Sequence, residues 1–143
     1  MEKNYDVLVK DRIYFGGAAD ARNAFLQEGV DVVIDVRVNG LSEEEQSTAG
    51  FTYLHLPIAD EDGAVASSIK AGALKVVSAF EDGKKVYFHC GSGGGRAGVM
   101  AVATLIEMGL ADSVEEAEVM AKDARSEVNI RPNMKKALDD LYK

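Results

Sequence analysis

The sequence predicts an α/β fold of three layers, with a mostly parallel central sheet of about four to five strands flanked by helices. Three observations predict it. Short apolar runs alternate along the chain with longer segments of helical period, the pattern of strands joined by crossover helices. Two of the runs, DVVIDV (31–36) and KVYFH (85–89), are apolar almost throughout, as strands buried on both faces are. The segment RAGVMAVATLIEM (96–108) carries almost no charge after Arg96, which suits a helix packed into the core.

The elements follow in order. RIYFG (12–16) is a short strand ending at Gly16-Gly17. Asp20 is placed to cap a helix running through Glu28, and Gly29 to end it. DVVIDV is the next strand. Residues 38–50 are polar and acidic and read as a loop or short helix. FTYLHL (51–56) is a strand stopped by Pro57, and IADEDGAV (58–65) a loop. From 66 to 82, Ile69, Ala73, Val76, Val77 and Phe80 fall on one helical face, with Gly83 just past the end. KVYFH precedes a glycine-rich loop and the apolar helix. Ser113 and Glu116 have capping-box spacing and open a helix to about Val128. Pro132 and Asn133 punctuate before a last amphipathic helix ending at Tyr142.

Composition narrows the function. The 143 residues fit one domain, taken as 1–143. A net charge of −8 with no Lys/Arg run argues against nucleic-acid binding. The polar N-terminus does not read as a signal peptide, and no apolar run approaches the ~18 residues of a membrane span. One cysteine allows no internal disulfide and suits a reducing compartment. The expectation is a cytoplasmic monomer with no membrane partner.

That single cysteine opens the stretch HCGSGGGRAG (89–98). Cys90 falls between the end of a strand and the start of a helix, where free backbone N–H groups and the helix dipole favour an anion. Glycines let successive N–H groups converge on one centre. Arg96 adds a planar fork that grips two oxygens of a tetrahedral anion. Such a field favours the thiolate, the nucleophilic form of the side chain. Residues 90–96 therefore describe a nucleophile inside an anion cradle, suited to attack on a phosphate ester.

His89-Cys90-Gly91-Ser92-Gly93-Gly94-Gly95-Arg96 resembles the His-Cys-x-x-Gly-x-x-Arg signature of the protein tyrosine phosphatase superfamily. RIYFGG, VDVVIDVR, FTYLHLPIAD and RPNMKKALDDL resemble the small dual-specificity branch, so the likeness covers most of the chain. It implies a cysteine-dependent phosphatase acting on a phosphorylated protein (phosphotyrosine first, then phosphoserine or phosphothreonine) or a small phosphate ester, with no metal and no cofactor. Cys90 would form a phosphocysteine. Arg96 and the amides of Gly91, Ser92, Gly93, Gly94, Gly95 and Arg96 would hold the phosphoryl oxygens. Asp60, 30 residues before Cys90, would be the general acid, and His89 would support the cysteine from the strand end. Asp62 is the competing acid in the same loop. Specificity is expected at the rim, in residues 37–46.

One position departs from the signature. Ala97 stands where the family usually has a hydroxyl that helps the thiolate leave, which raises the alternative of a phosphate-binding module that turns over weakly or not at all. Other readings fit less well. Gly93-Gly94-Gly95-Arg96-Ala97-Gly98 matches a dinucleotide fingerprint, but ~20 residues on stands Ser113 rather than an acid. No Gly-Lys-Ser/Thr is present for a nucleotide P-loop. An arsenate-reductase relay within the chain needs further cysteines, and rhodanese-type loops are usually a residue shorter.

Overall fold

The computed structural model describes residues 4–61 and 63–142. Its elements are β1 (Tyr5–Val9), β2 (Ile13–Gly17), α1 (Ala21–Glu28), β3 (Val32–Asp35), α2 (Glu43–Thr48), β4 (Thr52–His55), α3 (Val65–Glu81), β5 (Val86–Cys90), α4 (Arg96–Glu107), α5 (Val114–Ala124) and α6 (Pro132–Leu141). The sheet runs β1-β2-β5-β3-β4, parallel except for β1. β5 enters last and lies in the middle, and all five of its residues are buried. The unbroken apolar run KVYFH is the consequence of two covered faces.

The two faces differ. Phe15, Ile34 and Phe88 pack with α3, α4, α5 and α6 in the larger core. On the opposite face Tyr14, Val33 and Tyr87 meet Ala21 and Ala24 of α1, with Phe25, Phe51 and Tyr53 at the margin. In α4 every residue from Ala97 to Leu105 is buried. Each fully buried Val, Met or Leu there contributes about 1.5–3 kcal/mol relative to exposure. The three expected layers are present. The carboxyl ends of the parallel strands β2, β5, β3 and β4 share one edge, where an open α/β sheet offers a crevice.

Several local expectations need correction. β1 was not anticipated in the polar N-terminus. It is an antiparallel edge strand, and the reversal into β2 passes through Asp11 at φ 64, a left-handed turn that Asp tolerates. The Asp20 side chain makes no cap to α1 but accepts a hydrogen bond from Asn23 Nδ2 at 3.3 Å. α1 does end on Gly29, at φ 71. The acidic stretch forms α2, with a reciprocal capping box between Ser42 and Glu45. At α5 the Ser113 hydroxyl accepts the Glu116 N–H, but the Glu116 carboxylate takes the Asp112 N–H, so the box is not closed. α5 stops at Ala124 rather than Val128, because Arg125 turns extended at φ −145. Pro132 is the first residue of α6, not a spacer before it.

Candidate active site

β5 delivers Cys90 to the carboxyl edge of the sheet, residues 91–95 turn, and α4 starts at Arg96. Every carbonyl in that turn is held from outside. Ala18 N–H donates to Gly91 O (3.0 Å), Arg125 Nη2 to Ser92 O (3.0 Å) and Arg125 Nε to Gly93 O (3.1 Å). Asn129 N–H donates to Gly94 O (2.8 Å), and Val99 N–H to Gly95 O (3.0 Å). In a trans peptide the N–H opposes the preceding C=O, so five outward carbonyls turn the amides of residues 92–96 inward. The inward direction is visible at one of them: Gly93 N–H donates to Cys90 Sγ at 3.2 Å.

Two of the glycines are required by this geometry. Gly93 sits at φ +86, and a Cβ there would lie 2.5 Å from the Gly16 carbonyl carbon. A Cβ on Gly94 would lie 2.5 Å from the Glu127 carbonyl oxygen. A Cβ on Gly91 or Gly95 would meet open space, so backbone crowding does not account for those two.

Arg125 was missed in the sequence. It is 2% exposed, and besides the two loop carbonyls it donates from Nη1 to Asn4 O (3.0 Å) and Asp6 Oδ2 (2.9 Å). Glu127 lies 3.4 Å from Nη2. No motif announces this arginine, and the expected helix to about Val128 runs straight through it.

Arg96 is held by the loop ahead of α3. Its Nε donates to Ile58 O at 2.9 Å, and Nη2 forms an ion pair with Asp60 Oδ1. The structure thus brings Cys90, Arg96 and Asp60 to one edge. The Asp60 side chain is 58% exposed against 17% for Arg96. Asp62 lies outside the described residues.

His89 faces away from Cys90, as neighbouring strand residues must. It is 2% exposed, with Nδ1 3.1 Å from the Cys90 carbonyl and 3.8 Å from Asp35 Oδ1. Burial holds its imidazole below the ordinary 6.5, outweighing the pull of Asp35 toward the charged form. Asp35 is fully buried and binds the Arg37 fork, through Nε (3.0 Å) and Nη2 (2.8 Å), and the Tyr53 hydroxyl. Burial pushes the Asp35 carboxyl up, but the bonds from Arg37 and Tyr53 and the charge of His89 leave it below its usual value. Burial, then the bond to Asp35, raises Tyr53 to about 12, so it stays a donor.

A cavity of about 200 Å³ opens over the thiol, and its walls include Arg37, Cys90, Ser92, Arg96, Arg131 and Met134. The expected rim residue Arg37 is there, while Arg131 was not foreseen. A second cavity of about 440 Å³ lies beyond Arg37, against Phe51, Tyr53 and His89. No helix among the described residues is long and apolar enough to cross a membrane.

Comparison with known proteins agrees with this geometry. Residues 13–110 match the family described as "Tc-R-P: Polymorphic toxin system, DSP-PTPase phosphatase". No curated protein sequence matches the chain. Among solved structures, PTPMT1 is 25% identical, with 96% of this chain and 93% of that chain covered and a TM-score of 0.79. Human DUSP28 is 17% identical over 99% of this chain and 95% of its own, at a TM-score of 0.81. Tk-PTP in its active form is 22% identical over 99% and 98%, also at 0.81. The last two speak for the fold, and the match over residues 13–110 carries the assignment: the chain belongs to the polymorphic-toxin-system DSP-PTPase phosphatase family.

Proposed function

We propose that residues 1–143 form one domain, a cytoplasmic monomer that hydrolyses phosphate monoesters through a phosphocysteine, without metal or cofactor. The observation that supports this reading is the anchoring of all five loop carbonyls by donors outside the turn, which frees the loop N–H groups for an anion beside Cys90, where Gly93 N–H already meets Sγ. Such donors, fixed before substrate arrives, stabilise charge on the transferring phosphoryl group without reorganisation.

The thiolate of Cys90 attacks phosphorus. The S–P bond forms as the bond to the leaving oxygen breaks, and Asp60 gives its proton to that oxygen. Asp60, now a carboxylate, takes a proton from water. The water oxygen displaces sulfur, and the thiolate and inorganic phosphate are released. Arg96 must exchange Asp60 for the phosphoryl oxygens as substrate enters, so acid and substrate compete for one guanidinium. His89, neutral and bonded at the Cys90 carbonyl, positions the strand end and transfers no proton.

The family resemblance favours phosphotyrosine in proteins as the first substrate to try. PTPMT1 has been crystallised with PI(5)P, which adds lipid headgroup phosphates to the panel. The test is hydrolysis of a small aryl phosphate with chelator present. Activity should be lost in Cys90→Ser and strongly reduced in Asp60→Asn. Wild type that binds vanadate or phosphate but releases no alcohol would favour the second reading, a phosphate-binding module. Ala97, buried in the first turn of α4 with no hydroxyl to offer, is the observation behind that reading.

A further inference from the structure

The chain has six arginines, and four of them meet at this loop: Arg125 behind it, and Arg37, Arg96 and Arg131 in the wall of the 200 Å³ cavity. Among the described residues no carboxylate lines that cavity. Three of the four arginines are paired, Arg37 with Asp35, Arg96 with Asp60 and Arg125 with Asp6, so the charge left over at the cavity is that of Arg131.

The three wall arginines are not equivalent. Arg96 belongs to the scissile phosphoryl group. Arg37 is gripped by buried Asp35, which balances its charge and fixes its fork. The Arg131 side chain makes no hydrogen bond or ion pair among the described residues, and the residue is exposed. Its backbone is nevertheless fixed. It caps α6 at φ −66, ψ 150, Pro132 follows at the first helical position, and Met134 N–H donates to the Arg131 carbonyl at 3.1 Å. Met134 also lines the cavity. A well-placed backbone thus carries an unpaired guanidinium into the wall.

Arg96 and the loop amides already serve one phosphoryl group, so the charge of Arg131 is surplus to a simple monoester. We propose that the site takes small polyol phosphates whose leaving group bears a second phosphate or carboxylate on a nearby carbon, read by Arg131 with Arg37 beside it. This deepens the phosphatase reading and rests on it. Cavity size sets the spacing. Both anions must fit about 200 Å³, so only a few bonds separate them. Two phosphorylated side chains of a peptide stand farther apart than that, and the exposed Glu43, Glu44 and Glu45 of α2, of which Glu45 lines the neighbouring cavity, repel an acidic peptide. Planar guanidinium forks suit the paired oxygens of phosphate and carboxylate alike.

The experiment compares kcat/KM for a soluble vicinal inositol bisphosphate and an inositol monophosphate, in wild type, Arg131→Gln and Arg131→Lys. Lys136→Gln, an exposed change on the same helix and outside the cavity wall, controls for net charge. Wild type and Lys136→Gln should prefer the bisphosphate by about tenfold or more, the scale of one charge-assisted contact. Arg131→Gln should bring the ratio near one, chiefly through KM, and Arg131→Lys should restore part of it. One arm presents the same headgroup in phosphatidylcholine vesicles and separates a lipid source from a soluble one, and either source supports the proposal. A doubly phosphorylated peptide hydrolysed faster than the bisphosphate overturns it, as does a ratio unmoved by Arg131→Gln. If wild type cleaves nothing, including aryl phosphate, the hydrolytic reading has failed. Calorimetric binding of bisphosphate against monophosphate to Cys90→Ser, with and without Arg131→Gln, then still decides the second-anion site.

Discussion

The loop after Cys90 and the loop carrying Asp60 face each other across Arg96, and they are built in opposite ways. All five carbonyls of residues 91–95 are held by donors, which come from α4, from the turn before α1 and from the segment after α5. The acid loop is tied by Ile58 N–H to Val36 O, Ala59 N–H to the Ser68 hydroxyl, and the pair with Arg96, and Asp60 itself is exposed. In the proposed mechanism, anion binding is thus prepared by the fold, whereas the acid sits on a tether that substrate must displace. The more heavily anchored loop then lies where charge would develop, and the more lightly tied one where a proton would change hands twice.

The comparison can be broken from either side. Cys90→Ser should have the largest effect, a loss of more than about 10³-fold in turnover with oxyanion binding retained, as when a nucleophile is removed from an intact site. Turnover by this variant would end the cysteine mechanism. Arg125→Met should reach both stability and binding. It orphans the Ser92 and Gly93 carbonyls and so costs about 3 kcal/mol, read by denaturant unfolding, with phosphate affinity falling in parallel. Unchanged stability would show that the loop holds its shape without the clamp. Asp60→Asn should lower turnover by about 10²-fold yet tighten vanadate binding, because Arg96 loses its competitor. Weaker vanadate binding would mean that Asp60 orients Arg96 rather than competing with substrate. Ala97→Ser should raise steady-state turnover several-fold by speeding release of sulfur, and no gain would clear Ala97 of limiting the second step.

The smallest effect is on acid stability. His89 is held neutral in the fold by burial, so the unfolded chain binds its proton more readily. Stability therefore falls as pH drops through the ordinary histidine value of 6.5. Asp35, lowered in the fold, adds a further loss only nearer the carboxylate range. Melting temperatures between pH 7.5 and 5 should decline in wild type and flatten in His89→Asn, and an unchanged slope would place the titrating group elsewhere.

Much of this was legible because it is contiguous. Cys90, the glycines and Arg96 lie within seven residues, and the run of buried residues in α4 tells the loop where to stop. Asp60 stood out through its spacing, although nothing in the sequence states that it grips Arg96. The rest depends on distance along the chain. Arg125 meets Gly93 across 32 residues and Asp6 across 119, so no window holds both partners. Arg131 stands just ahead of the expected Pro132-Asn133 punctuation, and nothing in the sequence places it in the cavity wall. β1 (YDVLV) is mostly apolar itself, but it is short and flanked by the polar stretches EKN and KDR, so the segment as a whole reads as polar.

The clamp also has a mechanical side. The guanidinium that holds Ser92 and Gly93 is anchored at its other end to the Asn4 carbonyl and the Asp6 carboxylate, at the sheet's antiparallel edge. Strand β1 has a neighbour on one side only and can be peeled away rung by rung. A single side chain therefore links Asn4 and β1 to the back of the loop after Cys90. The strand that looked least informative in the sequence is the one that shares its anchor with the loop after Cys90.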